Sequence, residues 1–296
     1  MQYFNTNTIL YLNGHFEKAA ETMTSLYGQS LHYGYAVFEG IRAYHTHNGT
    51  RIFKAREHFE RLKRSAELMH MPFPWKVNDL IKQTYKLLSL NNLKDAYIRP
   101  LVFAAPNMSL QATKDVSIMI CAWEWDAYLG HKLLNVGISS YERPSPKSTP
   151  MEAKISGNYA NSILATTEAK AKGFDEALLL DGNGHIAEAP GANIFIEKSG
   201  RLYTPPVGNI LPGITRATVI ELCRILEIEL IEKHLTVNDL KHADSAFFCG
   251  TATEIAGIAS VEEYDFPLNW TESIGATIQR TYKSLVLEKQ NYEVII

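Results

Sequence analysis

The feature that most constrains the fold is the way the spacing of apolar residues changes along the chain. In REHFERLKRSAELM the apolar residues recur every three or four positions, at Phe59, Leu62, Ala66 and Met69, which predicts one face of a helix. AYIRPLVFAA and VSIMICAW are instead continuous apolar runs, typical of buried strands. Because helical and strand segments are mixed throughout the chain, we predict an α+β or mixed α/β fold.

Short polar signals mark where these elements begin and end. Asn48-Gly49 joins two apolar runs and predicts a hairpin. Asn78 is the expected N-cap of a second helix, and Gly173 is the expected end of a helix in NYANSILATTEAKAKG. The run DGNG at 181–184 predicts a turn between two strands, and Ile214 is expected to open a further helix.

Length and charge limit the classes of protein to which the chain can belong. Its 296 residues correspond to about two domains. The net charge is −3, from 29 basic and 32 acidic residues, so we expect neither a nucleic-acid nor a membrane partner. No signal peptide or membrane span is recognisable, and three well-separated cysteines favour a reducing compartment. We therefore expect a cytoplasmic protein.

Two motifs are explained more simply as turns than as ligand sites. The run at 182–187, GNGHIA, matches a dinucleotide-binding pattern, but that pattern must open a helix, and here a strand-like run with Pro190 follows. His45 and His47 could suggest a metal, yet they lie at a hairpin tip, and no cysteine or carboxylate completes a ligand set. We therefore predict neither a dinucleotide site nor a metal site.

Two ionisable residues stand in settings that suit catalysis. Lys154, in EAKISGNYANS, precedes a predicted helix, where the helix N-terminus and burial both favour the neutral amine that Schiff-base chemistry needs. Glu188 lies in the apolar run HIAEAPGAN and, if buried, requires a positive partner. Each residue also has a simpler interpretation, Lys154 as an ordinary surface lysine and Glu188 as an edge-strand glutamate that faces water.

Two further segments have the composition of anion cradles. In LPGITRATVIE, a helix is expected to open at Ile214-Thr215, where free backbone N–H groups and a hydroxyl suit a phosphate. In FFCGTATEIAG, a strand is expected to end at Gly250, which leaves the N–H groups of Thr251 and Ala252 exposed. Helix capping by threonine explains either segment equally well, but two such segments in a chain with a candidate Schiff-base lysine favour the functional interpretation.

Together these segments resemble the branched-chain amino-acid aminotransferases, which belong to fold type IV of the pyridoxal-phosphate enzymes. The matching stretches are, in order, LHYGYAVFEGIRAY, FKAREHFERL, AYIRPLVF, AYLG, KISGNYANS, IAEAPGANIF, LPGITR and GTATEI. The resemblance covers almost the whole chain and implies a two-domain fold like that of D-amino-acid aminotransferase. It implies a small α/β domain at 1–124, an interdomain linker at 125–136 and a large cofactor-binding domain at 137–296. Composition alone favours a boundary at the Pro-rich loop 141–150.

The resemblance implies pyridoxal 5′-phosphate as the cofactor and assigns roles toward it. Lys154 would be catalytic and form a Schiff base with the cofactor aldehyde. Glu188 would bind the pyridine nitrogen and keep it protonated, and Tyr159 would hydrogen-bond the 3′ oxygen. The phosphate would be bound by Arg56 and by the N–H and hydroxyl groups of Ile214, Thr215 and Thr251.

The resemblance also implies how a substrate would be held. Its carboxylate would meet the backbone N–H groups of Thr251 and Ala252, with Tyr97 holding it and Arg42 orienting it. An apolar pocket would be lined by Tyr33, Phe38, Tyr128 and Tyr159. Arg99, at the rim, is our candidate for the side-chain carboxylate of glutamate. Tyr33 would come from the neighbouring subunit, which implies a homodimer or a higher homo-oligomer with shared sites, and Met108 and Leu110 could reach the partner's pocket from the loop at 104–112.

The predicted function is a ping-pong transamination. The amino group of L-leucine, L-isoleucine or L-valine would pass to 2-oxoglutarate, with Lys154 moving the Cα proton. Two alternatives share the fold and the lysine, a D-amino-acid aminotransferase and an aminodeoxychorismate lyase, but the runs EGIRAY and AYIRP resemble the branched-chain enzymes more closely. A third alternative, a cofactor-binding protein without turnover, would be expected to lack Lys154 or Glu188.

Overall fold

The computed structural model of the protein describes residues 3–125, 129 and 132–288. Contacts divide the chain into two compact units, one of Met1–Asp126 with Ala153–Asn158 and the other of Ala127–Glu152 with Tyr159–Ile296. Each unit combines helices with a sheet, which confirms the predicted fold class. The domain limits 1–124, 125–136 and 137–296 stay a prediction, and the contacts add that the short segment around Lys154 belongs to the first unit.

Seven strands form the sheet of the first unit: β1 (Ile9–Leu12), β2 (His15–Lys18), β3 (Ala36–Phe38), β4 (Ile41–Thr46), β5 (Gly49–Ile52), β6 (Ala96–Ala104) and β7 (Val116–Trp123). Their order is β2-β1-β7-β6-β4-β5, with β3 also paired to β6, and every pairing is antiparallel. The predicted hairpin joins β4 to β5, and Gly49 has a φ of +92°, a conformation that glycine adopts without strain.

The helices of the first unit are α1 (Gln29–Tyr33), α2 (Ala55–Leu68) and α3 (Val77–Leu90). The predicted inner face of α2 is confirmed, because Phe59, Leu62 and Ala66 are fully buried in the core of this unit. The predicted N-cap of α3 is wrong. The N-cap is the extended residue Lys76, and Asn78 lies inside the helix, where its side chain accepts a hydrogen bond from Arg56 Nη2.

Nine strands form the sheet of the second unit: β8 (Leu134–Ile138), β9 (Glu176–Leu180), β10 (Ile186–Glu188), β11 (Asn193–Lys198), β12 (Arg201–Thr204), β13 (Leu230–Glu232), β14 (Ser245–Gly250), β15 (Glu254–Val261) and β16 (Tyr264–Asp265). Their order is β10-β9-β8-β15-β14-β11-β12-β13, with β16 paired to β15. The pairs β8–β9, β8–β15 and β12–β13 are parallel, and the others are antiparallel.

The helices of the second unit are α4 (Tyr159–Ala171), α5 (Ile214–Ile225), α6 (Val237–Lys241) and α7 (Ile274–Val286). The helix predicted before Gly173 is confirmed, with Gly173 at a φ of +90° just beyond its end. The DGNG run is confirmed as a turn between the antiparallel strands β9 and β10, so it lacks the helix that a dinucleotide fingerprint requires. In the described parts of the chain, every helix is too short or too polar to span a bilayer.

Candidate active site

The backbone around Lys154 is fixed against the sheet of the first unit. The Lys154 N–H donates to Ser65 Oγ on α2 at 3.0 Å, and its carbonyl accepts from the N–H of Phe38 at 3.0 Å. Ile155 forms an isolated bridge with Val37. These bonds add the lysine segment to the end of β3, so that its position follows from the register of that strand.

The side chain of Lys154 lies beside an aromatic ring that a second cation also contacts. Its Nζ is 4.9 Å from the centroid of the Phe38 ring, and the guanidinium carbon of Arg99 is 4.6 Å from the same centroid. Arg99 Nη2 also donates to Tyr97 Oη at 3.2 Å, whereas its buried Nε has no hydrogen-bond partner. The first unit therefore brings together four of the predicted residues, Phe38, Tyr97, Arg99 and Lys154.

Arg42 joins this group through the sheet, because it pairs with Tyr97 across β4 and β6. Its Nη2 donates to the carbonyl of Trp125 at 3.0 Å. The ring of Tyr97 packs against both Trp123 and Trp125, at centroid distances of 5.2 and 4.6 Å. Sequence analysis missed these two tryptophans, since nothing in a strand pattern reveals which aromatic ring supports which.

The residue after Phe38 in the chain, Glu39, belongs to a buried ionic group. Glu39 is fully buried and accepts two bonds from Arg61, at 2.6 and 2.9 Å, and one from His58 Nδ1 at 2.7 Å. Burial raises the pKa of Glu39, but the Arg61 guanidinium and the His58 ring outweigh burial and lower the pKa to about 2. Burial lowers the pKa of His58, against the pull of Glu39, and the charges of Arg61 and Lys154 lower it further. His58 is therefore the neutral partner, and Glu39 and Arg61 carry the charges.

The phosphate contact of Arg56 stays a prediction, and the structure places this side chain at the start of α2. The Arg56 side chain is 62% exposed, donates to Asn78 Oδ1 at 2.7 Å and lies 4.0 Å from Glu60. It therefore contacts the first turn of α3 and solvent. Sequence analysis missed Arg61, whose side chain is only 11% exposed. The available signal was its place three residues after His58, on the inward face of α2.

Of the two remaining residues predicted for the apolar pocket, Tyr33 is described by the structure and Tyr128 is not. Tyr33 is 46% exposed, and its hydroxyl donates to the carbonyl of Met108 at 3.2 Å. It thus lies against the loop that was predicted to reach a partner's pocket. Tyr128 lies outside the described residues.

In the second unit, Glu188 is a buried carboxylate held by side-chain and backbone donors. It is 4% exposed, and Arg143 Nη2 lies 2.6 Å from its Oε1. Asn193 Nδ2 donates to Oε2 at 2.9 Å, and the Leu211 N–H donates to Oε1 at 3.2 Å. The alternative of a water-facing glutamate is therefore wrong, even though β10 is an edge strand. Sequence analysis missed Arg143 and Asn193, which approach Glu188 only through tertiary contacts.

The first turn of α5 has the free donors that an anion requires. Gly213 is the N-cap, and no side chain caps the helix in the described part of the chain. A Cβ on Gly213 would lie 2.0 Å from Asn193 Oδ1, so only glycine permits the close approach of this turn to the Asn193 amide. The helix begins at Ile214, as predicted, with Thr215 buried. The α5 turn and the Glu188 carboxylate are thus joined through Asn193.

The remaining predicted cofactor residues of this unit lie on two neighbouring segments. Thr251 and Ala252 form the turn between β14 and β15, which begins next to Asn193 because Cys249 pairs with Asn193. Tyr159 opens α4, whose first turn is joined to the segment after Glu188 by the bond from Ser162 Oγ to the Pro190 carbonyl at 2.8 Å.

Comparison with known proteins gives a consistent answer. Residues 36–261 match the model of the family "Amino-transferase class IV". The chain is 38% identical over 295 residues to the branched-chain-amino-acid aminotransferase of Pseudomonas aeruginosa, covering 98% of this chain and 96% of that protein. It is 39% identical to the Escherichia coli enzyme of the same name over 86% of this chain and 84% of that one. The crystal structure of a branched-chain aminotransferase from Thermoproteus uzoniensis with norvaline superposes with a TM-score of 0.92 at 38% identity, over 96% of each chain. The chain therefore belongs to the class IV aminotransferases, within the family of the branched-chain-amino-acid aminotransferases.

Proposed function

We propose that this protein is a pyridoxal-phosphate-dependent transaminase that moves the amino group of L-leucine, L-isoleucine or L-valine to 2-oxoglutarate. The observation that supports this most directly is the setting of Lys154, whose amino group lies beside the Phe38 ring that the Arg99 guanidinium also contacts. The matching relatives carry the same activity in their names. Solved branched-chain aminotransferases that match this chain are described with pyridoxamine 5′-phosphate and with N-(5′-phosphopyridoxyl)-L-glutamate.

The donor and acceptor groups of the chain fit this cofactor. The lysine amine suits its aldehyde, and the buried carboxylate of Glu188 suits a protonated pyridine nitrogen. The uncapped first turn of α5 offers the N–H groups of Ile214 and Thr215 to a phosphate. We further assign Thr251 and Arg56 to the phosphate and Tyr159 to the 3′ oxygen. The Arg56 guanidinium is largely exposed, and its contact with Asn78 is weak enough to give way to a phosphate.

When bound, pyridoxal phosphate supplies an electron-withdrawing ring that stabilises the charge left on the substrate's Cα after proton removal. Lys154 would take that proton from Cα as a general base and would then deliver it, as a general acid, to the C4′ atom of the cofactor. Glu188 keeps the ring nitrogen protonated, and its bonds from Arg143 and Asn193 hold the carboxylate ionised and in place.

The substrate is held by two kinds of contact. Its carboxylate meets the backbone N–H groups of Thr251 and Ala252, with Tyr97 and Arg42 as further donors. We assign Phe38 and Tyr159 to the side-chain pocket, which favours branched aliphatic groups because each buried methylene contributes about 0.8 kcal/mol. Tyr128, which the resemblance adds to this pocket, lies outside the described residues. Arg99 accommodates the second carboxylate of glutamate, since its Nε lacks a protein partner.

We also propose that the protein is a homodimer in which Tyr33 completes the partner's site. We define the α1 patch as the seven large apolar residues of α1 and its neighbouring loops that are between 46% and 91% exposed: Met23, Leu26, Tyr27, Leu31, Tyr33, Met108 and Leu110. Gln29 Nε2 joins α1 to the loop at 104–112, because it donates hydrogen bonds to the carbonyls of Ser109 and Gln111, both at 2.9 Å. An exposed apolar surface of this kind marks a protein interface.

A cytoplasmic location is likewise our proposal. It is supported by the three cysteines, Cys121, Cys223 and Cys249, all of which are free thiols.

The activity is tested with the purified holoenzyme, 2-oxoglutarate and a panel of amino donors. We expect glutamate to form with L-leucine, L-isoleucine and L-valine, and not with their D-enantiomers or with the Lys154→Ala variant. Preferential use of D-amino acids, or release of pyruvate from aminodeoxychorismate, would overturn the proposal in favour of another fold type IV activity.

A further inference from the structure

One group of side chains in the second unit has no part in the proposed transamination. Asp181 and His185 flank the turn between β9 and β10, and His234 follows β13. One carboxylate oxygen of Asp181 and one ring nitrogen of each histidine lie within 4.8 Å of one another. Two backbone bonds fix the group: the Asp181 N–H donates to the His185 carbonyl at 2.8 Å, and the Ile186 N–H donates to the Leu235 carbonyl at 2.7 Å.

We propose that Asp181, His185 and His234 bind a divalent first-row transition-metal ion of the Zn²⁺ type. Two imidazoles and one carboxylate are a ligand set that such ions favour, with water in the fourth position. Ligands of a tetrahedral zinc ion lie about 3.4 Å apart, so the group needs only a small contraction. His234 is exposed, and side chains at exposed positions change rotamer readily.

The Asp181 carboxylate is already held as a metal ligand must be. Its Oδ1 accepts from the N–H groups of Asn183 and His185, at 2.9 and 3.0 Å, and its Oδ2 accepts from Asn209 Nδ2 at 2.6 Å. These bonds orient the carboxylate and leave a lone pair on Oδ2, in the manner of the outer contacts that support known metal ligands.

The two imidazoles are arranged for a shared ligand and not for a hydrogen bond. His185 Nδ1 is buried without a hydrogen-bond partner, and its distance of 3.7 Å from Asp181 Oδ1 is too long for one. The rings of His185 and His234 lie 4.9 Å apart at 32°. Two cationic rings at that distance would repel each other, whereas neutral rings can offer their lone pairs to one ion.

The test is a titration of the metal-depleted holoenzyme, without amino acid, with ZnCl₂ by calorimetry and with Co²⁺ by its visible ligand-field absorption. We expect one ion per chain and a rise in Tm with Zn²⁺. His234→Ala and His185→Ala should each weaken binding by roughly 100-fold or more, since loss of even an outer contact costs 10- to 100-fold. The matched control is His242→Ala, another exposed histidine of the same unit.

His234→Ala removes an exposed side chain, so its Tm without metal and the visible spectrum of its cofactor should match those of the wild type. Unchanged Co²⁺ absorption in that variant, an equal loss in His242→Ala, or absence of binding to the wild-type protein would overturn the proposal. None of these readouts depends on transaminase activity, so the metal site and the proposed function are judged separately.

Discussion

At the scale of single residues, Arg99 is the side chain that we propose to determine dual specificity, because one pocket has to accept both leucine and glutamate. Its guanidinium packs on Phe38 and Tyr97 and keeps an unpartnered Nε. A charge-assisted hydrogen bond to the side-chain carboxylate of glutamate contributes ~1.5–3 kcal/mol. Arg99→Met should therefore lower kcat/KM for glutamate and 2-oxoglutarate by about 10- to 100-fold, with a much smaller effect on leucine.

Single-turnover kinetics of each amino acid, followed by the absorbance of the cofactor, measure the two half-reactions separately. If Arg99 only supports the aromatic cluster, kcat/KM will fall equally for leucine and glutamate. That result would overturn the dual-recognition role and leave the transaminase assignment in place.

Arg56, at the start of α2, is the side chain that we assign to the cofactor phosphate. Its guanidinium is 62% exposed and bonded to Asn78, and exposed pairs of this kind contribute about 0–1 kcal/mol, so a phosphate can replace Asn78 at little cost. A phosphate contact is worth roughly tenfold or more in affinity, and we therefore expect Arg56→Gln to bind pyridoxal phosphate roughly tenfold more weakly in titrations of the apoenzyme. Binding as tight as that of the wild type would rule out the role that the resemblance implies.

Glu39 makes the stability of the first unit depend on pH. Its pKa falls from an ordinary 4.5 to about 2 in the fold, so the stability it contributes is fully present above about pH 4.5 and is lost as the pH falls toward 2. Glu39→Gln would leave the Arg61 charge buried without its counter-ion, which costs about 3–5 kcal/mol.

Urea unfolding at pH 7 and at pH 3, followed by tryptophan fluorescence, tests this, because three of the four tryptophans, Trp75, Trp123 and Trp125, lie in the same unit as Glu39. The difference in free energy of unfolding between the wild type and Glu39→Gln should be smaller at pH 3 than at pH 7. Glu57→Gln is the matched control, because Glu57 is half-exposed on α2, the helix that carries Arg61, and it should change the unfolding midpoint little at either pH. If this difference in free energy does not change with pH, Glu39 stabilises the unit by its packing and not by its charge.

At the scale of elements, the start of α5 depends on one glycine. A Cβ on Gly213 would overlap Asn193 Oδ1, and the Asn193 amide also holds Glu188. Gly213→Ala should therefore move both the phosphate donors and the ring-nitrogen partner, and we expect roughly a 10- to 100-fold loss of cofactor affinity, the value of one hydrogen bond to a charged group. Gly182→Ala, whose Cβ would meet only Glu142 at 3.7 Å, is the control. Equal cofactor affinity in both variants would show that the close approach at Gly213 is dispensable.

The elements also show what sequence can and cannot predict. The inner face of α2, the β4–β5 and β9–β10 turns and the start of α5 follow from local spacing and glycine chemistry, and all four were predicted. The N-cap of α3 was not, since Asn78 is held by Arg56 from another helix. Arg143 contacts Glu188 from 45 residues away in the sequence, and His234 likewise approaches Asp181 from a distant segment. A pattern in a single sequence does not reveal contacts of this kind.

At the scale of the whole molecule, the residues proposed to act on the cofactor are divided between the two units, Lys154 in the first and Glu188 with Thr215 in the second. Motif order predicted these roles but not that division. The segment of residues 153–158 belongs to the first unit because its backbone bonds go to Ser65, Phe38 and Gly34.

The proposed homodimer gives the α1 patch a function that can be measured. Leu31 is 64% exposed within the patch, and full burial of a leucine stabilises an interface by about 1.5–3 kcal/mol. Leu31→Asp removes that gain and adds the cost of burying a charge, so we expect dimer dissociation to rise by about 100-fold or more. Activity should be lost in parallel, because Tyr33 would no longer reach the partner's site.

The matched control is Ile225→Asp, since Ile225 is 69% exposed but lies at the end of α5 in the other unit. Sedimentation velocity across a concentration series, paired with the leucine assay, separates the outcomes. A monomeric wild type with full activity, or a Leu31→Asp variant that stays dimeric, would show that the α1 patch is not the interface that completes the site.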